Sequence, residues 1–106
     1  MKNKLIGKWR ITKSEEWDPD MMDMDQLAMI EIGKSGYGFL NFCAVEVDID
    51  YRASKNEKEK IEFSFSGRDD RDPVSGRGWA KLEGENLKFQ IYFHRGMESW
   101  FEAKKI

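Results

Sequence analysis

The chain is 106 residues long, one domain's worth, and its 40% apolar, 13% aromatic and 36% charged composition belongs to a chain that folds, not to a disordered one. Its 18 Lys and Arg against 20 Asp and Glu give a formal charge of -2, which excludes a global positive field for a phosphate backbone and so generic nucleic-acid binding. One Cys excludes an internal disulfide, and the opening MKNKLIGKW lacks the apolar run of ~7–15 residues that a signal peptide needs; the expectation is a cytoplasmic protein with no membrane partner.

Apolar residues recur at every second position and are mostly Val, Ile, Phe, Tyr and Trp, the period and composition of half-buried strands. Trp9 and Ile11 mark the first strand. The link after it runs from Trp17 to Gln26, where Asp18 and Pro19 have the chemistry of a helix N-cap and first helical position and Asp20 suits the positive end of the helix dipole. A single short helical turn, a mobile lid, is expected there. Ile30 and Ile32 form a second strand and Phe39 a third, joined through Gly33-Lys34-Ser35-Gly36. Length alone places a turn near Cys43-Ala44-Val45-Glu46. Beyond it Val45, Val47, Ile49 and Tyr51 alternate with charged residues, and after residues 54–59 Ile61, Phe63 and Phe65 do the same. The charged run 68–75 reads as a long loop. Ala80 and Leu82, then Leu87, Phe89, Ile91 and Phe93 across Glu83-Gly84-Glu85-Asn86, then Phe101 and Ala103 complete eight strands.

Short links make each neighbour antiparallel, and a meander with one apolar face hides its edges by closing on itself. The expected fold is therefore all-β, a single domain over 1–106: an eight-stranded antiparallel up-and-down barrel with a short helical lid. Sixteen inward candidates, Trp9 and Phe39 among them, crowd its interior.

Leu5-Ile6-Gly7-Lys8-Trp9 ahead of an alternating strand resembles the opening Gly-x-Trp of the calycin superfamily: lipocalins, fatty-acid-binding proteins, avidins and small protease-inhibitor barrels. The resemblance implies an eight-stranded barrel whose Trp, here Trp9, packs across the closed end. Gly7-Lys8-Trp9-Arg10, Glu16-Trp17-Asp18, Ser75-Gly76-Arg77-Gly78-Trp79-Ala80 and Phe93-His94 are also similar to a group of small uncharacterised bacterial proteins, a calycin-like (lipocalin-like) family. The later Arg and the disulfides of secreted lipocalins have no counterpart, so the resemblance does not extend to classical lipid transport.

With the first strand running upward, the long loops, the dense charges, Cys43 and His94 collect at the top, which makes the top mouth the candidate ligand site. Glu15, inward with Lys13 on the first strand, Trp17, Arg68, Arg77 and His94 are its candidate residues; an Arg there suits a carboxylate or phosphate. Asp18, Asp20, Asp23 and Asp25 lack the spacing of a calcium loop and His94 has no second His, so neither metal nor cofactor is expected. Met21, Met22 and Met24 suit either a gate or a plug. Cys43 reads as a small buried apolar group, and no nucleophile has an orienting partner, so the protein is not expected to be an enzyme; a hydrolase or isomerase using Glu15 and His94 is the remote third reading.

On the outer wall, pairing Leu82 with Leu87 sets Trp79 opposite Gln90, and a three-residue loop at Arg95-Gly96-Met97 sets Tyr92 beside Trp100. Trp79, Tyr92 and Trp100 then form one outward aromatic patch, an interface candidate. Two readings follow. One is a non-catalytic barrel binding a small molecule at its mouth; the other is a ligand-free interaction module, a homodimer or an inhibitor-like protein, meeting its partner through the aromatic wall.

Overall fold

A computed structural model describes residues 4–106. Alternating apolar residues become eight strands: β1 (Gly7–Ser14), β2 (Met29–Ile32), β3 (Tyr37–Phe42), β4 (Val45–Ala53), β5 (Lys60–Asp69), β6 (Asp72–Glu83), β7 (Asn86–Phe93) and β8 (Glu98–Lys105). One helical turn, α1 (Pro19–Met22), follows β1. Each strand pairs antiparallel with the next, and β8 pairs with β1, so the sheet closes as an up-and-down barrel with no free edge in the ladder.

The inward face carries almost nothing polar. Trp9, Ile11, Ile30, Leu40, Val47, Ile49, Ile61, Phe89, Ile91 and Phe101 are all buried there, and Ser99 is the one buried polar residue among them. At eight strands the interior is just wide enough for side chains, and these fill it. In β6 the phenyl rings of Phe63 and Phe65 lie across the paired glycines Gly78 and Gly76. A Cβ on Gly78 would stand 2.2 Å from the Gln90 carbonyl oxygen and 2.7 Å from Phe63 Cζ, so only glycine lets the wall bend over those rings.

Both ends are stoppered. At the lower end Trp9 is buried and its indole Nε1 donates to the Leu5 carbonyl at 2.9 Å, while Lys105 Nζ lies 4.8 Å from the ring centroid. At the upper end the expected lid, α1, is anchored to the barrel. Met22 is fully buried, its carbonyl accepts from the Cys43 amide at 2.8 Å, and Asp23 accepts from the Arg10 guanidinium at 2.9 Å and the Ala28 amide at 2.8 Å.

Three local expectations are corrected. Phe39 points outward between Glu31 and Asp48, because register places Leu40 and Phe42 inside; a one-residue slip would have expelled both. Lys13 and Glu15 are not inward. A bulge between Ile11 and Lys13 adds Thr12 to β1 and reverses the parity, which keeps the ammonium out of an apolar interior. Residues 68–75 are not a loop either: β5 and β6 run to a two-residue turn, Asp70-Arg71, with Asp70 at φ 58. Asp tolerates that left-handed conformation, and Gly67 and Val74 pair across the strands to keep the ladder in register to its tip.

Candidate functional site

The upper mouth is filled by rings. Trp17 packs with its centroid 5.2 Å from Phe42 and 6.0 Å from Phe101, and Phe101 stacks on Phe89 at 4.8 Å. Of the five mouth candidates, Trp17 alone occupies the mouth, as part of the stopper. Glu15 is exposed and touches the wall through its backbone, whose amide donates to the Trp100 carbonyl at 3.0 Å. Arg68 stands on the outer wall of β5, 3.4 Å from the Glu46 carboxylate. Arg77 lies on the outer wall of β6 with its guanidinium carbon 5.6 Å from the Tyr92 centroid. His94 is exposed in the β7–β8 turn, where its amide donates to the Ser75 carbonyl at 2.7 Å.

The wall candidates fare better. Trp79, Tyr92 and Trp100 all face outward, and Trp79 sits opposite Gln90 as the turn chemistry implies. The β7–β8 register differs by two residues: Trp100 pairs with Gln90 and Tyr92 with Glu98. The turn starts one residue earlier than expected, with Phe93 donating to the Met97 carbonyl, so His94 belongs to the loop and not to the strand. Trp79, Gln90 and Trp100 therefore form one row across three strands, with Tyr92 in the next row beside Arg77.

None of these rings is bare. Lys60 and Lys81 lie 5.2 and 5.9 Å from the Trp79 centroid, and Lys88 and Lys13 lie 5.6 and 5.9 Å from that of Trp100. Such cation–π contacts are each worth ~0.5–1 kcal/mol at exposed sites. The lysines also face one another. Lys60 pairs directly with Lys81, and Lys81 with Lys88, a like-charge arrangement across three strands. Glu57 offsets part of the repulsion, with its carboxylate 2.7 Å from Lys60 and 3.9 Å from Lys81; the Lys60 hydrogen bond, then its charge, holds the Glu57 carboxyl below its ordinary range. The sequence reading missed this lysine belt. Lys81 and Lys88 follow from the Leu82–Leu87 pairing, but Lys60 required the β5–β6 register that the supposed loop concealed.

Beside the belt the outer wall is hollow. A trough of about 620 Å³ crosses β4 to β7, lined by Arg52, Lys60, Ser64, Arg77, Trp79 and Tyr92 among others. Gly78 also lines it, and a neighbouring hollow of about 580 Å³ joins Arg77 and Tyr92 to His94. Arg77 and His94, expected at the mouth, thus meet on the wall. Asp50 and Glu62 supply carboxylates to the trough, and Arg52, Lys60, Arg77 and the adjoining Lys81 supply the cations.

Burial first, then the charges of Asp69 and Asp25, push the Cys43 thiol up, so it is protonated at neutral pH. Among the described residues no group of three or more His, Cys, Asp or Glu is placed to hold a metal ion, and no helix is long and apolar enough to cross a membrane. Compared with protein-family models, curated proteins and solved structures, the chain matches none.

Proposed function

We propose that this protein is a non-catalytic, calycin-like barrel of the cytoplasm that acts as an interaction module, meeting a protein partner through its outer wall. One contrast carries the reading: the interior is packed and stoppered by Trp9 and by Trp17 with Met22, whereas the wall presents a trough lined by Trp79 and Tyr92. A ligand in the mouth would have to displace a fully buried Met22 and the ring cluster of Trp17, Phe42 and Phe101, at the cost of their packing. Aromatic rings flanked by Arg and Lys are the residue types that anchor protein interfaces. Catalysis gains no support from the geometry, since no hydrogen bond joins Glu15 to His94 and Cys43 is held as a thiol.

The test uses the four tryptophans as separate reporters. Indole resonances of Trp9 and Trp17 sense the interior, and those of Trp79 and Trp100 sense the wall. Titration with a fatty acid and with an anilinonaphthalene sulfonate dye is expected to move neither Trp9 nor Trp17 in the wild type, and to move Trp17 once Met22→Ala opens the mouth. A saturable shift of Trp17 in the wild type overturns the reading in favour of a small ligand at the mouth.

A further inference from the structure

The lysine belt and the trough call for an occupant that is anionic, convex and able to lie on aromatic rings. Such a surface exists on the same chain. Residues 15–27 carry six carboxylates and no Lys, Arg or His, and among the described residues only Asp23 of the six forms a salt bridge. Their segment also exposes Met21, Met24 and Leu27, at 51%, 61% and 41%, three of the six large hydrophobic residues most open to solvent in the described chain. An acidic end cap with free thioethers therefore complements a cationic wall with indole rings: carboxylates meet lysines, and thioether sulfur packs favourably on aromatics. Shape allows it, because α1 is a single turn that leaves Pro19, Asp20 and Met21 exposed, and the wall carries a hollow beside the belt.

We infer that the outer wall of β5 to β8 is the docking surface for the α1 cap of a second copy of this chain. This deepens the interaction-module reading and rests on it. The contact is heterologous, cap to wall. An isologous contact of the wall with itself would oppose lysine to lysine, and one between two caps would oppose carboxylate to carboxylate. Single-stranded nucleic acid fits less well, since Glu57, Glu62 and Glu102 interrupt the belt at the spacing of its lysines. Copies joined in this way leave one cap and one wall free at the ends, so assembly grows with concentration.

Analytical ultracentrifugation of three proteins tests the inference: the wild type, a wall variant (Lys81→Gln with Lys88→Gln) and a cap variant (Asp18→Asn, Asp20→Asn and Asp25→Asn), each first shown folded by far-ultraviolet circular dichroism. At ~10 mM salt, where charges act over ~30 Å, the wild-type mass is expected to rise with concentration, and at ~1 M, where they act over ~3 Å, to return to that of a monomer. Each variant alone stays monomeric. Their equimolar mixture forms a dimer and stops there, because only one intact cap and one intact wall remain, and the indole signals of Trp79 and Trp100 on the wall and of Trp17 in the cap move while that of Trp9 does not. A wild type that stays monomeric while a labelled single-stranded oligonucleotide binds the belt overturns the inference. So does a mixture that stays monomeric although the wall variant has lost the wild-type association; in that case the wall is still an interface and only its occupant is wrong. Association undiminished in the wall variant overturns the inference and the outer-wall reading together.

Discussion

Trp9 is the residue on which the lower end of the barrel turns, and Trp9→Ala measures how much. The ring is 2% exposed, donates to the Leu5 carbonyl at 2.9 Å and carries Lys105 on its open face. A buried aromatic of this size removes ~150–250 Å² from water, and at ~25 cal/mol per Å² that is ~4–6 kcal/mol as an upper bound. Measured truncations of buried Phe or Trp to Ala fall at ~3–5 kcal/mol, the expected range here. Domains of this size hold ~5–15 kcal/mol in total, so the substitution would consume about a fifth or more of the stability. The drop in Tm should reach at least ~12 °C, at ~4–8 °C per kcal/mol. Trp9→Phe keeps most of the apolar area but loses the indole donor, and is expected to cost ~1–2 kcal/mol. Urea unfolding followed by far-ultraviolet circular dichroism is the appropriate assay, because tryptophan fluorescence would lose one of its reporters. A loss under ~1 kcal/mol for Trp9→Ala would mean that the lower stopper is redundant and the closed-end role assigned to Trp9 is wrong.

Gly78→Ala should destabilise by ~1–3 kcal/mol or more in the same assay, since its Cβ meets the Gln90 carbonyl at 2.2 Å; Gly84→Asn, in open space at φ +65, should be close to neutral, and equal effects would refute the wall-bending argument. Cys43 should react with iodoacetamide at neutral pH more slowly than a small free thiol, the rate climbing only well above the ordinary thiol range; parity at neutral pH would contradict the raised pKa. The Glu57 carboxyl is held low, so its ion pair with Lys60 contributes stability at pH values above the unfolded pKa of ~4.3 and loses it as the pH falls through the lower folded value. Glu57→Gln should therefore flatten the acid limb of a stability–pH curve below ~pH 4.3, and an unchanged limb would remove the pair from the account.

How legible this molecule is depends on which physical signal each residue sends. Strands β4, β5 and β7 are written in plain alternation, and the outward direction of Trp79, Tyr92 and Trp100 follows from the parity of Ala80, Ile91 and Phe101. Parity fails wherever the count changes. The extra residue at Thr12 is invisible to a period of two, and it moves Lys13 and Glu15 from inside to outside. Charge also misleads: Arg68 to Asp72 reads as a hydrated loop because mixed charges are common in loops, yet cross-strand pairing carries the ladder to Asp69 and Asp72. The trough was hidden for a different reason. Its lining comes from four strands, β4 to β7, and no local stretch of sequence marks residues that only the full register brings together.

The belt poses a question of stability against use that one substitution decides. Directly opposed like charges on neighbouring strands cost roughly 0.2–1 kcal/mol per pair, and Lys81 sits in two such pairs, with Lys60 and with Lys88. In return it gains a cation–π contact with Trp79, ~0.5–1 kcal/mol, and a 3.9 Å approach to Glu57 whose exposed geometry adds little. These contributions nearly cancel, so Lys81→Gln should leave the stability within about 1 kcal/mol of the wild type. A fold would then have no reason of its own to align three ammonium groups, and an anionic partner would supply one, since surfaces kept for binding are seldom those that stability alone would choose. The outcome that defeats this argument is a loss above ~2 kcal/mol on urea unfolding of Lys81→Gln: Lys81 would then be holding the wall together through Trp79 and Glu57, and the belt would be scaffold and not a docking surface.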